Sequence, residues 1–66
     1  FGDCKSVGTG VQELRVPEGK GYRLYFGRVG NSVVLLLCGG SKASQSKDIK
    51  QAKAYWKLFN EGRTNG

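Results

Sequence analysis

The stretch GYRLYFGRVGNSVVLLLCGGSK, residues 21–42, decides the fold. It contains two runs of strand-forming residues, 22–28 and 33–38, and the dipeptide Gly30-Asn31 between them is typical of a tight turn. Every position of the second run is apolar, so we expect both faces of that strand to be covered. The stretch therefore predicts an antiparallel pair of strands in which the second strand is the most buried part of the sheet.

The first run alternates between two kinds of side chain. Tyr22, Leu24 and Phe26 fall on one side of the predicted strand, whereas Arg23 and Tyr25 fall on the other. We interpret the first set as a packed face and the second as a polar and aromatic face that is available for function.

The sequence upstream predicts one further strand and a loop. Residues 11–16 (VQELRV) alternate between apolar and charged side chains, and residues 17–21 (PEGKG) have the composition of a hairpin turn. Residues 1–10 are punctuated by glycine and predict a loop with one short extended segment at 4–7. These signals together predict an α+β fold with an antiparallel meander of three to four strands.

The sequence downstream of the glycine pair predicts a C-terminal amphipathic helix. Ser46 is the expected N-cap, and Asp48 suits the positive end of the helix dipole. We expect the helix to end at residues 61–62 and the tail over 61–66 to be disordered. Four apolar residues share one helical stripe: Ile49, Ala52, Trp56 and Phe59.

The predicted elements leave an uncovered surface. One helix covers one face of a sheet, yet the strand at 33–38 is apolar on both faces. Helices upstream of this chain, a second copy of it, or a partner peptide could cover the remaining face; the alternative is a flat exposed strand that favours aggregation. We expect the chain to form a homo-oligomer through this face.

Length and composition restrict the class of protein. The 66 residues predict a single domain over 1–66 with an ordered core over 3–60, and a chain of this length buries only about 60% of its unfolded surface. Two cysteines allow at most one disulfide, and there is no histidine to complete a metal site with them. We therefore expect free thiols in the cytoplasm, with no cofactor and no membrane association.

The charge balance favours a polyanionic partner. Eleven Lys and Arg residues against five Asp and Glu residues give a formal charge of +6, which suits nucleic acid or an acidic protein segment. The loop at 39–42 (GGSK) lacks the spacing of a nucleotide-binding phosphate loop. It could hold a backbone phosphate, with Lys42 as a point charge, or it could simply cap the helix.

Three cations form the candidate catalytic group. Arg15 and Arg23 are expected to project from the polar faces of neighbouring strands, with Lys42 in the loop beside them. Such a cluster can hold a phosphodiester and stabilise the negative charge that develops on it during cleavage. The alternative is that the two arginines are paired with Glu13 and solvent.

A set of short motifs follows in order along the chain, at residues 2–3, 5, 7–8, 10–11, 13–15, 21–26, 35–40, 42, 44–45, 48–49 and 52. This ordered set resembles the RelE/ParE superfamily of toxins and especially its HigB-like addiction module killer branch. The resemblance implies the toxin of a bacterial type II toxin–antitoxin system, inhibited by a cognate antitoxin protein. Many RelE-like relatives are metal-independent endoribonucleases that cleave mRNA on the ribosome, whereas ParE-like relatives poison DNA gyrase.

The resemblance also assigns roles to individual residues. Arg23 matches the arginine that acts on the scissile phosphate, Lys42 lies where relatives place another cation, and Arg15 is a third catalytic candidate. Relatives of this branch carry an N-terminal strand and a helical hairpin, which we expect to be missing from a truncated chain. Three lysines are expected to attract the RNA backbone: Lys5, Lys47 and Lys50.

Two functional interpretations remain open at this point. The first is a metal-independent, ribosome-dependent endoribonuclease. The second is a non-catalytic interaction module, either a gyrase-binding protein or an inactive truncated toxin that self-associates or binds antitoxin. The tyrosine or histidine that serves as acid or base in some relatives has no clear counterpart here, so the sequence does not decide between them.

Overall fold

The computed structural model describes residues 4–17, 19 and 21–65, with residues 64 and 65 described by their backbone alone. The α+β class is confirmed: an antiparallel sheet is followed by a short 3-10 turn and a C-terminal helix. The elements are β1 (Cys4–Gly8), β2 (Val11–Val16), β3 (Tyr22–Val29), β4 (Ser32–Gly39), the 3-10 turn (Lys42–Ser44) and α1 (Gln45–Asn65).

The strands form a meander in the order β1-β2-β3-β4. The predicted turn at Gly30-Asn31 joins β3 to β4, and Gly30 has the positive φ of +59° that a type II′ turn requires at its first central position. The segment predicted at 4–7 is a full strand, β1, which pairs with β2. Residues 1–3 of the predicted loop, and residues 18 and 20 of the predicted turn at 17–21, lie outside the described part of the chain.

Helix α1 packs on the face of the sheet that contains Tyr25. Val11, Tyr25 and Ala52 are completely buried at the centre of this contact. We predicted that this face is available for function, and for Tyr25 the prediction was wrong, because this residue lies under the helix. Five partly buried side chains complete the core: Val7, Leu36, Leu37, Ile49 and Trp56.

Glycine on β3 makes the close approach of the helix possible. A Cβ atom placed on Gly27 would lie 2.3 Å from Cζ3 of Trp56, so the indole rests directly on the backbone of the strand. A Cβ atom on Gly10, in the β1–β2 turn, would lie 2.9 Å from Nε1 of the same indole. Trp56 thus holds both β3 and the β1–β2 turn against α1.

Strand β4 is not the most buried strand, contrary to the sequence prediction. It lies at the edge of the sheet, and 57% of Val33 and 58% of Leu35 is exposed. The continuous buried segment is instead 25–27, on β3. Because α1 covers one face only, the described residues leave some apolar side chains of β4 exposed.

The uncovered face of the sheet carries a group of mainly apolar side chains. Tyr22, Val33 and Leu35 are exposed there, whereas Phe26 in the middle is only 7% exposed because its neighbours on the sheet surround it. Four further apolar side chains on this face are Leu14, Val16, Leu24 and Cys38, and the polar side chains of Gln12 and Arg28 share it. We call the eight apolar residues the open face.

Both cysteines belong to one row that crosses the whole sheet. Cys4 pairs with Leu14, Leu14 with Leu24, and Leu24 with Cys38. Three strand spacings separate the two cysteine Cα atoms by roughly 14 Å, whereas a disulfide requires less than about 7 Å. Both thiols are free.

The ends of α1 differ from the sequence prediction. Ser46 is not the N-cap, because the helix begins at Gln45 after the 3-10 turn, where Ser44 Oγ donates to Asp48 Oδ2 at 2.8 Å. The helix does not end at residues 61–62 and continues to Asn65. Phe59 is 37% exposed and stacks on Trp56 with ring centroids 5.7 Å apart. Within the described residues, no helix combines the length and the apolar composition needed to cross a bilayer.

Candidate nucleic-acid interface

A cavity of about 440 Å³ opens where β1, β2 and β3 meet the start of α1. It brings together the three predicted catalytic residues and one of the three predicted RNA-binding lysines. We call it the first cavity. The side chains that line it are Cys4, Lys5, Glu13, Arg15, Arg23, Lys42 and Gln45.

Two arginines face each other across neighbouring strands in this cavity. Arg15 of β2 is the direct register partner of Arg23 of β3, and like charges in this position destabilise a sheet. Among the described residues neither arginine forms an ion pair, and the buried Nε of Arg23 has no hydrogen-bond partner. The ion pair that Glu13 forms is with Lys5 and not with either arginine, although the charge of Arg23 helps to lower the pKa of Glu13.

Glu13 is the one carboxylate that lines the first cavity among the residues that the structure describes, and it is only 3% exposed. Its Oε2 accepts a hydrogen bond from Gln45 Nε2 at 2.9 Å, and its Oε1 lies 3.7 Å from Lys5 Nζ. Burial alone would raise the pKa of Glu13, but Gln45, Tyr25 and the nearby cations outweigh burial and lower that pKa. Glu13 therefore stays ionised at neutral pH and ties β1, β2 and α1 together.

Tyr25 lies beside this carboxylate and stays protonated. Burial is the main reason that the pKa of Tyr25 rises to about 12, and the charges of Glu13 and Asp48 raise it further. The hydroxyl is close enough to Glu13 for the two groups to influence each other, but it makes no hydrogen bond of regular geometry in the described residues. At neutral pH Tyr25 is thus a buried, neutral group under the cations.

Packing explains one glycine of the loop that precedes Lys42. A Cβ atom on Gly39 would lie 2.8 Å from Cε2 of Tyr25 and 2.9 Å from Oδ2 of Asp48. The close fit brings the chain from β4 to the 3-10 turn, where Lys42 reaches the first cavity. Binding of a phosphate by the backbone of this loop stays a prediction.

A second cavity, of about 520 Å³, lies between the β1–β2 turn and α1. Lys50 lines this cavity and not the first one, and Lys47 lines neither. The sequence pattern places Lys47, Lys50, Lys53 and Lys57 on a loose basic side of the helix. Lys53 and Lys57 line this cavity with Lys50, although they were not among the predicted RNA-binding residues. The lining residues are Thr9, Lys50, Lys53, Ala54, Trp56, Lys57 and Asn60.

The sequence already placed Glu13 beside the arginines, because it has the same strand parity as Arg15 and must share its face of β2. The sequence reasoning missed Gln45 as a member of the first cavity. No comparable signal existed for Gln45, whose position depends on where α1 begins. Over residues 4–17, 19 and 21–65, no group of three or more His, Cys, Asp or Glu residues could hold a metal ion.

Comparison with known proteins identifies one relative. The chain is 58% identical over 53 residues to an uncharacterized protein of Haemophilus influenzae, and the match covers 80% of this chain. It covers 54% of that relative, so the chain spans about half the relative's length. No family model and no solved structure matches the sequence.

Proposed function

We propose that this chain is the toxin component of a bacterial type II toxin–antitoxin system and that the first cavity binds mRNA for ribosome-dependent cleavage. One observation supports the proposal most directly: among the described residues, four cationic side chains but only one carboxylate line a single cavity. That carboxylate is already engaged by Gln45 and Lys5. The cavity therefore has an excess of positive charge that a bound phosphodiester would neutralise.

The chemistry of the cations suits phosphodiester cleavage. When the 2′-oxygen of RNA attacks phosphorus and the 5′-oxygen leaves, negative charge increases on the phosphate oxygens. Two guanidinium groups side by side can donate to those oxygens in a bidentate manner, and Lys42 adds a point charge. Arg23 is best placed to hold the scissile phosphate because it is half-buried, where electrostatic stabilisation is stronger than in water.

The proposal includes the partners and surroundings of such a toxin. The chain would act in the cytoplasm, where it would meet the ribosome and a cognate antitoxin protein. An acidic antitoxin segment that enters the first cavity would neutralise the same four cations that RNA needs. Inhibition and catalysis would then compete for one site.

Expression of the chain in bacteria tests the proposal. We expect wild type to arrest growth and to generate cleaved transcripts that primer extension can map, and we expect Arg23→Ala to abolish both effects. Arg28→Ala is the matched control, because Arg28 is an exposed arginine on the same strand that lines neither cavity. Full growth arrest and unchanged cleavage in Arg23→Ala would reject the role of the first cavity.

The second candidate function is a non-catalytic interaction module, and the open face favours it. Tyr22, Val33 and Leu35 are each more than half exposed on one surface, which suits a contact with a second copy, with antitoxin or with DNA gyrase. Intact transcripts in cells that express the chain would support this function over RNA cleavage. A light-scattering mass of one chain at high concentration would reject self-association, since a stable contact buries about 1,000 Å² or more.

A further inference from the structure

The second cavity is a basic groove. Of its lining residues in the described part of the chain, three are lysines and none is acidic. Lys50 and Lys57 are exposed, and Lys53 is half-buried over Gly8, where an added Cβ atom would lie 3.2 Å from its Nζ. Among the described residues, none of these lysines forms an ion pair.

The two cavities are in line between β1 and α1. At one end Gln45 of α1 bonds to Glu13, which pairs with Lys5; at the other end Lys53 of α1 lies over Gly8. From Lys5 to Gly8 the strand rises roughly 10 Å. From Gln45 to Lys53 the helix rises about 12 Å in the same direction. The cations of both cavities therefore lie along one track.

We infer that a single RNA strand follows this track, with one phosphodiester in the first cavity and flanking phosphates on Lys50, Lys53 and Lys57 in the second. This inference rests on the proposed function of the first cavity. The track is as long as about four stacked nucleotides at 3.4 Å each. It would give the toxin a footprint beyond the cleaved bond.

Single-stranded RNA fits the groove better than an acidic peptide does. RNA carries a charge at every nucleotide, which matches cations spread over the whole track, and its bases can contact aromatic side chains. Trp56 lines the second cavity, so such a contact is available beside the lysines. Binding to an acidic peptide instead becomes an outcome of the test.

The test compares RNA length with the lysines of the second cavity. Uridylate oligomers of two and eight nucleotides are titrated against the protein, and the fluorescence of Trp56, the one tryptophan of the chain, reports binding. We expect wild type to bind the eight-nucleotide RNA more tightly than the two-nucleotide RNA. K53Q/K57Q should lose this gain in affinity. The control R28Q/R63Q removes the same charge from residues that line neither cavity and should keep the gain.

Salt dependence gives a second readout. Each phosphate contact to a single strand contributes about 0.7 to the slope of log K against log salt, so K53Q/K57Q should reduce the slope for the octamer by about 1.4. K53R/K57R should restore wild-type behaviour, which separates a loss of charge from a loss of folding. Equal behaviour of K53Q/K57Q and the control would overturn the inference.

Two further arms separate the possible failures. If R23Q leaves the affinity for the two-nucleotide RNA unchanged, the phosphodiester site of the first cavity is rejected. Loss of the tighter binding of the eight-nucleotide RNA in K53Q/K57Q would still support the second cavity. If K53Q/K57Q weakens binding of an oligoglutamate peptide but leaves octamer binding intact, the groove binds an acidic protein segment and the RNA track is rejected.

Discussion

Because Arg15 and Arg23 face each other in the first cavity, we expect their repulsion to lower the free energy of unfolding of the protein when no anion is bound. Like charges directly opposite each other on a sheet destabilise it by roughly 0.2–1 kcal/mol, and salt screens this repulsion. We therefore expect Arg15→Gln to raise the free energy of unfolding by up to about 1 kcal/mol at low ionic strength, and by less at high ionic strength. The same change should weaken the binding of an anion.

Inorganic phosphate should stabilise wild type more than it stabilises Arg15→Gln. A ligand that binds only the folded state at a hundred times its dissociation constant raises the free energy of unfolding by about 2.7 kcal/mol. We expect phosphate to stabilise wild type in this way, relative to chloride at matched ionic strength. Arg15→Gln, which has lost one of the four cations, should gain clearly less from phosphate.

Urea denaturation followed by Trp56 fluorescence measures both effects. The indole contacts β3 and the β1–β2 turn, so its emission reports the packing of the helix on the sheet. Arg28→Gln is the control, because it removes one arginine charge from outside both cavities. The reasoning is refuted if Arg15→Gln and Arg28→Gln unfold at the same urea concentration and phosphate stabilises wild type no more than chloride does.

Two further predictions concern the core. Gly27→Ala should lower the free energy of unfolding by roughly 1–3 kcal/mol, because its Cβ atom overlaps the indole; Gly62→Ala, in open space on α1, should instead raise it by about 0.5–1 kcal/mol. Equal effects of the two changes in urea titrations would contradict the packing of Trp56. The pKa of Tyr25 rises from 10.0 to about 12 on folding, so its contribution to stability is complete below pH 10 and is lost as the pH rises through the folded value. Tyr25→Phe should therefore lose less stability than wild type over this range, by on the order of 2 kcal/mol, and parallel pH profiles of unfolding would argue against it.

The local features of the fold were predictable from the sequence. Alternation fixed which side chains of each strand share a face, and Gly30-Asn31 identified the β3–β4 turn, because both signals depend on neighbouring residues only. The helical stripe correctly placed Ala52 in the core. These features need no knowledge of how distant elements pack.

The choice of covered face was not predictable in the same way. Both sides of β3 carry large aromatic residues, so alternation could not show that α1 packs on the side of Tyr25 rather than that of Phe26. The useful signal was Gly27, which leaves space on one side for a large partner. The position of β4 at the sheet edge was equally unpredictable. An apolar run indicates that a strand is stabilised by burial on both faces, but it does not show whether this chain provides the packing partners.

The candidate site was predicted in part. Parity and the short β2–β3 connection were enough to bring Arg15 and Arg23 together, and the loop after β4 brought Lys42 to them. The roles of Gln45 and Lys53 depend on where α1 begins and on its rotation about its axis, which a hydrophobic stripe defines only loosely. Side-chain partners across long sequence separations were therefore found from the structure alone.

The row of residues from Cys4 to Cys38 makes oxidation a structural probe. Since the two thiols of one chain are too far apart to join, any disulfide must link two molecules. If two chains stack through their open faces, a Cys4–Cys38 link places β1 of one over β4 of the other, whereas Cys4–Cys4 and Cys38–Cys38 links place like strands over each other. Non-reducing gels of wild type, Cys4→Ser and Cys38→Ser would thus distinguish the two orientations of the symmetry axis.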